Sequence, residues 1–132
     1  MDSINSSPDL KSLIALAADH CFKPYKHSVL ALDNIDNLIS FSEVDYDICI
    51  VIQCRNLDGI RITKNDLELE IYSSGKDINV MLSFINNPDM PIVWHGRHSV
   101  WMDPDTGKLC KKPANGIALE ALIRRIKALF SE

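Results

Sequence analysis

The order in which hydrophobic periodicities follow one another most constrains the fold of this chain. Apolar residues recur at steps of three and four over residues 9–21 and again after residue 116, which predicts an amphipathic helix near each end. Between these segments apolar and polar residues alternate, as in strands. Because helices and strands do not alternate along the chain, a parallel doubly wound sheet is disfavoured. We therefore predict an α+β fold, in which about five to seven antiparallel strands form one sheet and the N-terminal and C-terminal helices pack on its apolar face.

Both predicted helices have recognisable start signals. Ser7 followed by Pro8 predicts an N-cap and a first helical residue, and Pro24 ends this helix. Asn115 is the predicted N-cap of the second helix. Residues 113–116, which contain a proline and a glycine, are predicted to interrupt regular secondary structure just before this helix. The apolar stripe of the second helix predicts a face buried against the sheet, and it consists of Leu119, Leu122, Ile123, Ile126, Leu129 and Phe130.

The first strands are predicted from period-two alternation. A short strand is expected around Val29, and residues 38–41 are either a further strand or a helical turn. The cleanest alternation covers residues 45–54. Cys49 and Cys54 lie five residues apart on this strand and must therefore face opposite sides of the sheet.

The best hairpin of the sequence joins residues 67–72 to residues 78–84. One of its faces is apolar and the other is polar, as in an antiparallel sheet that has one face exposed to solvent. We interpret the carboxylate pair of Glu68 and Glu70 as part of this solvated face. The alternative is that this pair and the pair of Asp45 and Asp47 together hold a divalent cation, although nothing in the sequence requires the two pairs to meet. The polar face of the hairpin is predicted to hold Glu68, Glu70, Tyr72, Asn79, Met81 and Ser83.

Three short strands are predicted in the next part of the chain, at residues 92–94, 99–102 and 108–110. The turn at residues 103–107 connects the last two, because proline at its second position presets φ and Gly107 supplies a left-handed residue.

Length and composition limit the classes of function that this chain can have. The 132 residues suffice for a single domain, of which residues 1–6 are expected to fray. The net charge of −4 disfavours nucleic-acid binding, which needs many cations that neutralise phosphates. No signal peptide, membrane span or CxxC pair occurs, so a reducing, cytoplasmic setting is expected.

The segment from residue 92 to residue 108 is the candidate site, since it holds both tryptophans of the chain. If its first two strands pair as a hairpin, Trp94 and Trp101 fall on the same side and Arg97 lies at the tip. Tryptophan and arginine dominate the binding energy of protein interfaces, so these three residues predict a surface that binds a partner protein. The alternative is that both tryptophans are buried against the terminal helices.

A second hypothesis assigns a metal site to the same segment. His95 and His98 would be neighbours across a two-residue hairpin loop, and Asp103, Asp105 and Cys110 would approach if the turns folded back. Zinc accepts this mixture of nitrogen, sulfur and carboxylate ligands. The spacing is not a specific motif, however, and no sequence motif implies a cofactor or a catalytic nucleophile.

The sequence thus favours a small cytoplasmic, non-enzymatic protein-binding module, such as an adaptor, chaperone or regulator. Its expected partner is another protein, and a homodimer is a further expectation. Neither a membrane nor a nucleic acid is an expected partner. A metal-binding protein or small enzyme that uses His95, His98, Asp103 and Asp105 is the alternative.

Overall fold

The computed structural model describes residues 9–31, 47–74 and 77–130 of the chain. These residues form two α-helices and seven β-strands, with a short 3-10 turn at Thr63–Asn65. In chain order the elements are α1 (Leu10–Cys21), β1 (Lys26–Ala31), β2 (Asp47–Arg55), β3 (Leu67–Ser74), β4 (Asp77–Phe84), β5 (Ile92–His95), β6 (Ser99–Met102), β7 (Leu109–Cys110) and α2 (Ile117–Phe130).

The seven strands form one antiparallel sheet in which each strand pairs with its neighbours in sequence. Both helices pack on the same apolar face, where α2 contacts β4 and β5 and where α1 contacts β1 and α2. The predicted α+β fold, with one antiparallel sheet and a helix near each end of the chain, is therefore confirmed. Neither described helix is long and apolar enough to cross a membrane.

The core lies between this face of the sheet and the two helices. In β2 the residues alternate strictly between buried and partly exposed positions, so Cys54 is buried and Cys49 lies on the other face, as predicted. The predicted stripe of α2 supplies five buried side chains to the core. These are Leu119, Leu122, Ile123, Ile126 and Phe130, and they meet Ile50, Ile52, Leu69, Ile71, Val80, Leu82, Val93 and Trp101 of the sheet.

Several predicted boundaries differ from the structure. Helix α1 is capped by Asp9, whose Oδ1 accepts a hydrogen bond of 2.8 Å from Ser12 N, rather than by Ser7. Gly116, not Asn115, immediately precedes α2, and its carbonyl accepts from Glu120 N at 3.0 Å. Strand β1 begins at Lys26, before the predicted start, because its pairing with β2 extends to Arg55.

The turn after β6 forms as predicted, and Gly107 has a φ of +72°. Residues 1–6, the uncertain segment at 38–41, and Asp45 lie outside the described residues.

Candidate functional site

The loop between β5 and β6 sets the geometry of the candidate site. His95 pairs with Ser99, so the loop contains three residues, 96–98, and not the two residues assumed from the sequence. A shift of one residue in register moves a side chain to the opposite face of a sheet. Trp101 therefore lies opposite Val93, while Trp94 lies opposite Val100. The prediction that the two tryptophans share a side is wrong.

Trp101 belongs to the core face. Its side chain is 4% exposed, and its Nε1 donates a hydrogen bond of 2.7 Å to Glu120 Oε2 on α2. Lys112 Nζ lies 3.2 Å from the other oxygen of this carboxylate. Trp101 thus anchors α2 to the sheet, and its ring is not accessible to a partner.

Trp94 lies on the outer face of the sheet, opposite the face that carries both described helices. It pairs in register with Met81 of β4, and its Nε1 donates a hydrogen bond of 3.0 Å to Tyr72 Oη on β3. This bond fixes the indole across three strands. Since the indole N–H is already used, a ligand on this face would meet the ring of Trp94 and not its donor.

A cleft of about 330 Å³ opens beside Trp94. The first residues of β4 and the β5–β6 loop surround it, and its lining consists of Asp77, Asn79, Trp94, Gly96, Arg97 and His98. Asp77, Arg97 and His98 are exposed, whereas Asn79 and Gly96 are buried. The cleft has about the volume at which small-ligand sites begin.

Gly96 permits the close packing that forms this cleft. A Cβ atom added to Gly96 would lie 3.0 Å from Asn79 Oδ1 and 3.0 Å from two ring atoms of Trp94, Cη2 and Cζ2. Such distances are shorter than ordinary van der Waals contacts. A larger residue at this position would therefore displace the Trp94 ring or the Asn79 amide.

Asn79 is the unusual residue of the cleft. It is only 5% exposed, and its Nδ2 is buried without a hydrogen-bond partner among the described residues. Leaving a buried amide donor unpaired costs about 1–3 kcal/mol, so native proteins rarely retain one without a reason. The sequence pattern placed Asn79 on the outer face, and the register confirms this. Asn79 is nevertheless not solvated, because Trp94 and Gly96 cover it.

The proposed metal ligands lie at two ends of one strand. His95 and His98 flank the start of β6, whereas Asp103 and Asp105 follow its end, roughly 13 Å further along the chain. Asp103 Oδ1 accepts hydrogen bonds from the backbone N–H groups of Asp105 and Thr106, at 2.8 and 3.1 Å. It therefore closes its own turn. Among the described residues, no three histidine, cysteine or acidic side chains group as metal ligands.

The cations in and just after the candidate segment are also dispersed. Arg97 lies at the β5–β6 tip, whereas Lys108, Lys111 and Lys112 flank β7 beyond the other end of β6.

On the outer face of β2 and β3 the charge is negative. A hydrogen-bonding contact with Asp47, burial, and the negative charges of Asp47 and Glu68 raise the pKa of Glu70. This arrangement disfavours a polyanion on the sheet.

Sequence reasoning found Trp94, Arg97 and His98 in the cleft but missed Asp77 and Asn79. Those two residues precede the start of the candidate segment by 15 and 13 residues. They reach it only because β4 pairs with β5. The sequence signal that could have located them is the predicted hairpin, which placed Asn79 on the outer face.

The fold defines the class to which this protein belongs, an α+β protein whose described residues form a seven-stranded antiparallel meander with two helices on one face. The chain belongs to the family described as "Domain of unknown function (DUF8659)", whose model matches residues 11–129. No curated protein and no solved structure matches the chain.

Proposed function

We propose that this protein is a non-enzymatic binding module that captures a partner protein on the outer face of the sheet, through Trp94 and Arg97. The observation that carries the proposal is the position of Trp94, a partly exposed aromatic ring fixed by Tyr72 beside an exposed arginine. Aromatic rings that are held rigid lose little entropy on binding and are frequent anchors at interfaces.

The surroundings of Trp94 support this use. Met81, Ile92, Val100 and Met102 are also partly exposed on the outer face, so Trp94 is the centre of an apolar strip. Arg97 and His98 form its polar rim. An apolar centre with a polar rim is the usual composition of a protein-binding patch.

The proposal places the protein in the cytoplasm. Cys21, Cys49, Cys54 and Cys110 are all free thiols, which suits a reducing compartment. Self-association is included in the proposal, because β1 forms one edge of the described sheet and a strand edge can pair with a second chain.

Affinity capture with the full-length chain as bait tests the proposal. We expect a specific partner to be retained by the wild type and lost with Arg97→Glu, and we expect Trp94→Ala to weaken its binding about tenfold or more. Lys111→Glu is the matched control, since Lys111 is exposed near the opposite end of β6 and undergoes the same charge change. The partner is identified by mass spectrometry, and its Kd for each variant is measured by calorimetry.

Two outcomes would contradict this function. One is a partner that binds Arg97→Glu as tightly as the wild type. The other is equal loss with Lys111→Glu, which would indicate nonspecific electrostatic attraction. A melting temperature well above the assay temperature for every variant excludes unfolding as the cause of a loss.

A further inference from the structure

We propose that the β1 edge of the sheet binds a second copy of this chain, in an antiparallel β1–β1 pair whose two-fold axis passes through Val29 perpendicular to the sheet. This inference rests on the self-association included in the proposed function, and it specifies the strand, the register and the arrangement of the two copies. The capture of a partner by Trp94 and Arg97 does not depend on it.

The two edges of the described sheet differ in their protection against pairing. β7 has only two residues, and exposed lysines flank it at Lys108, Lys111 and Lys112. Short edge strands and lysines are devices by which proteins prevent edge-to-edge pairing. β1 has six residues without proline, its only lysine is its first residue, Lys26, and Leu30 is 54% exposed. β1 is therefore the edge at which a further strand can bind.

The hydrogen bonds of Cys54 indicate which backbone groups of β1 are available at this edge. Cys54 N donates to Asp66 Oδ1 at 2.8 Å, and Cys54 O accepts from Ile62 N at 2.9 Å. Both groups of Cys54 therefore point away from β1. Because Cys54 pairs in register with His27, the backbone N–H and C=O of His27 point away from β2.

These outward groups fit a second copy of β1 in one register. Val29 and Ala31 follow His27 at steps of two, so their backbone groups also point away from β2. A two-fold axis at Val29, the middle residue of the three, places the two Val29 residues opposite each other and His27 opposite Ala31 of the second copy. Every outward N–H and C=O of the three residues then forms a hydrogen bond. An axis at His27 would instead leave Ala31 without a β1 partner.

The same register covers exposed apolar surface on the outer face. Leu30 pairs with Val51 and lies on that face, where it would lie opposite Ser28 of the second copy. The two Leu30 side chains are then diagonal neighbours across the axis, a separation that long side chains can bridge. Their contact removes apolar surface from water and stabilises the pair.

Helix α1 presents a different side toward the β1 edge than toward α2. Leu13 and Ala17 line the groove between the two helices. Lys11, Ala15 and Asp19 recur at steps of four on the opposite side of α1. Because α2 contacts the central strands β4 and β5, this opposite side of α1 is the one that faces the edge.

The charges on this side of α1 favour a second copy over an unrelated strand. Asp19 Oδ1 and His27 Nδ1 lie 2.9 Å apart, so Asp19 lies above His27. One turn of α1 and two residues of β1 both advance about 6 Å, so Ala15 lies near Val29. The axis at Val29 then brings Lys11 of each copy toward Asp19 of the other, and these opposite charges attract. The Asp19 side chain is 21% exposed and can accept this contact.

The dimer would make the binding module bivalent. An axis perpendicular to the sheet keeps both outer faces on the same side, so both Trp94 rings lie on one continuous sheet. Because β5 is the fifth strand from the β1 edge, the two rings are about 40 Å apart at the usual spacing of strands. A partner that carries two recognised segments at this spacing would bind with avidity.

Sedimentation equilibrium and native mass spectrometry of the full-length chain, over a series of concentrations, measure the subunit number. We expect the wild type to dimerise and Leu30→Lys to raise the dimer Kd about tenfold or more, because two lysines then meet across the axis. Leu109→Lys is the matched control, since Leu109 is 73% exposed at the β7 edge. It should leave the dimer Kd unchanged.

Amide hydrogen exchange read by NMR tests the register. The amides of His27 and Val29 should exchange slowly in the wild-type dimer and quickly in Leu30→Lys. The amide of Ser28 bonds to β2 and should stay protected in both proteins, which shows that β1 remains folded in the variant.

A charge reversal tests the contact between the helices. Lys11→Glu should raise the dimer Kd several-fold, whereas Lys111→Glu, at the β7 edge, should not. If Lys11→Glu has no effect, or Lys111→Glu has an equal one, the charge complementarity that selects a second copy is rejected. The inference is also overturned by a monomer at every concentration, by a dimer that Leu30→Lys leaves intact, or by a dimer in which the His27 and Val29 amides exchange freely.

The failures of the two proposals are distinguishable. A monomer that loses its partner with Arg97→Glu would retain partner capture and reject the β1 dimer. A dimer that Leu30→Lys dissociates, in a protein whose partner ignores Arg97→Glu and Trp94→Ala, would retain the β1 interface and reject capture through the outer face.

Discussion

At the scale of single residues, three polar side chains differ in whether hydrogen bonds and ion pairs compensate for their burial. Asn79, Asp66 and Glu120 are all buried or nearly so. Asp66 accepts from Cys54 N at 2.8 Å and pairs with Arg61, so its burial is compensated. The burial of Glu120 is compensated by the hydrogen bond from Trp101 and the ion pair with Lys112. Of these three side chains Asn79 alone retains a buried donor without a partner, and Ser99 Oγ is a further such atom among the described residues.

Glu120 is the residue whose charge we expect to affect stability most clearly. Burial alone would raise the pKa of Glu120, but hydrogen bonds from Trp101 and Lys112 and the charge of Arg124 outweigh it and hold the pKa below its ordinary value of 4.5. The carboxylate therefore stabilises the fold above that pH, and this contribution is lost as the pH falls through the lowered pKa.

Glu120→Gln should accordingly lower the free energy of unfolding by about 1 kcal/mol at neutral pH. The difference between the two proteins should shrink on acidification below pH 4.5. Urea denaturation at a series of pH values measures both effects. A difference that stays constant or grows on acidification would contradict this assignment.

At the scale of elements, the register of β5 and β6 decides which tryptophan is structural. Trp101 packs in the core and bonds to α2, whereas Trp94 lies on the outer face and is partly exposed. Because large truncations in a core remove buried contacts and leave a cavity, Trp101→Ala should lower the free energy of unfolding by about 3–5 kcal/mol. Trp94→Ala should lower it by about 1–2 kcal/mol, mainly through the lost hydrogen bond to Tyr72.

Chemical denaturation of the two variants provides the comparison, and each variant is the control of the other. If Trp94→Ala destabilised the protein as much as Trp101→Ala, the indole of Trp94 would be a core residue. It would then be unsuitable as the anchor of a binding surface.

At the scale of the whole molecule, the path of the chain separates the residues of the metal hypothesis. The two histidines and the two aspartates lie at opposite ends of β6, and Asp103 is engaged in its own turn. We therefore expect EDTA to leave the melting temperature unchanged, because the loss of a structural metal would lower it. Native mass spectrometry of protein purified without added metal is the second check, and a stoichiometric zinc mass would restore the metal hypothesis.

The sequence by itself determined the class of fold, the outer and inner faces of most strands, and the buried stripe of α2. These follow from hydrophobic periodicity, which is a local property: side chains repeat every two residues in a strand and about every 3.6 residues in a helix. The same reasoning placed Cys49 and Cys54 on opposite faces and identified the turn that Gly107 completes.

Only the tertiary structure decided the site. Because the loop has three residues instead of two, the register changes by one residue and Trp101 lies on the core face. The periodicity of two strands does not determine the length of the loop that joins them. The pairing of β4 with β5 then brought Asp77 and Asn79 to Trp94 and Arg97. Burial of the Asn79 amide depends on what covers it, and the glycine and tryptophan that do so come from another strand and its loop.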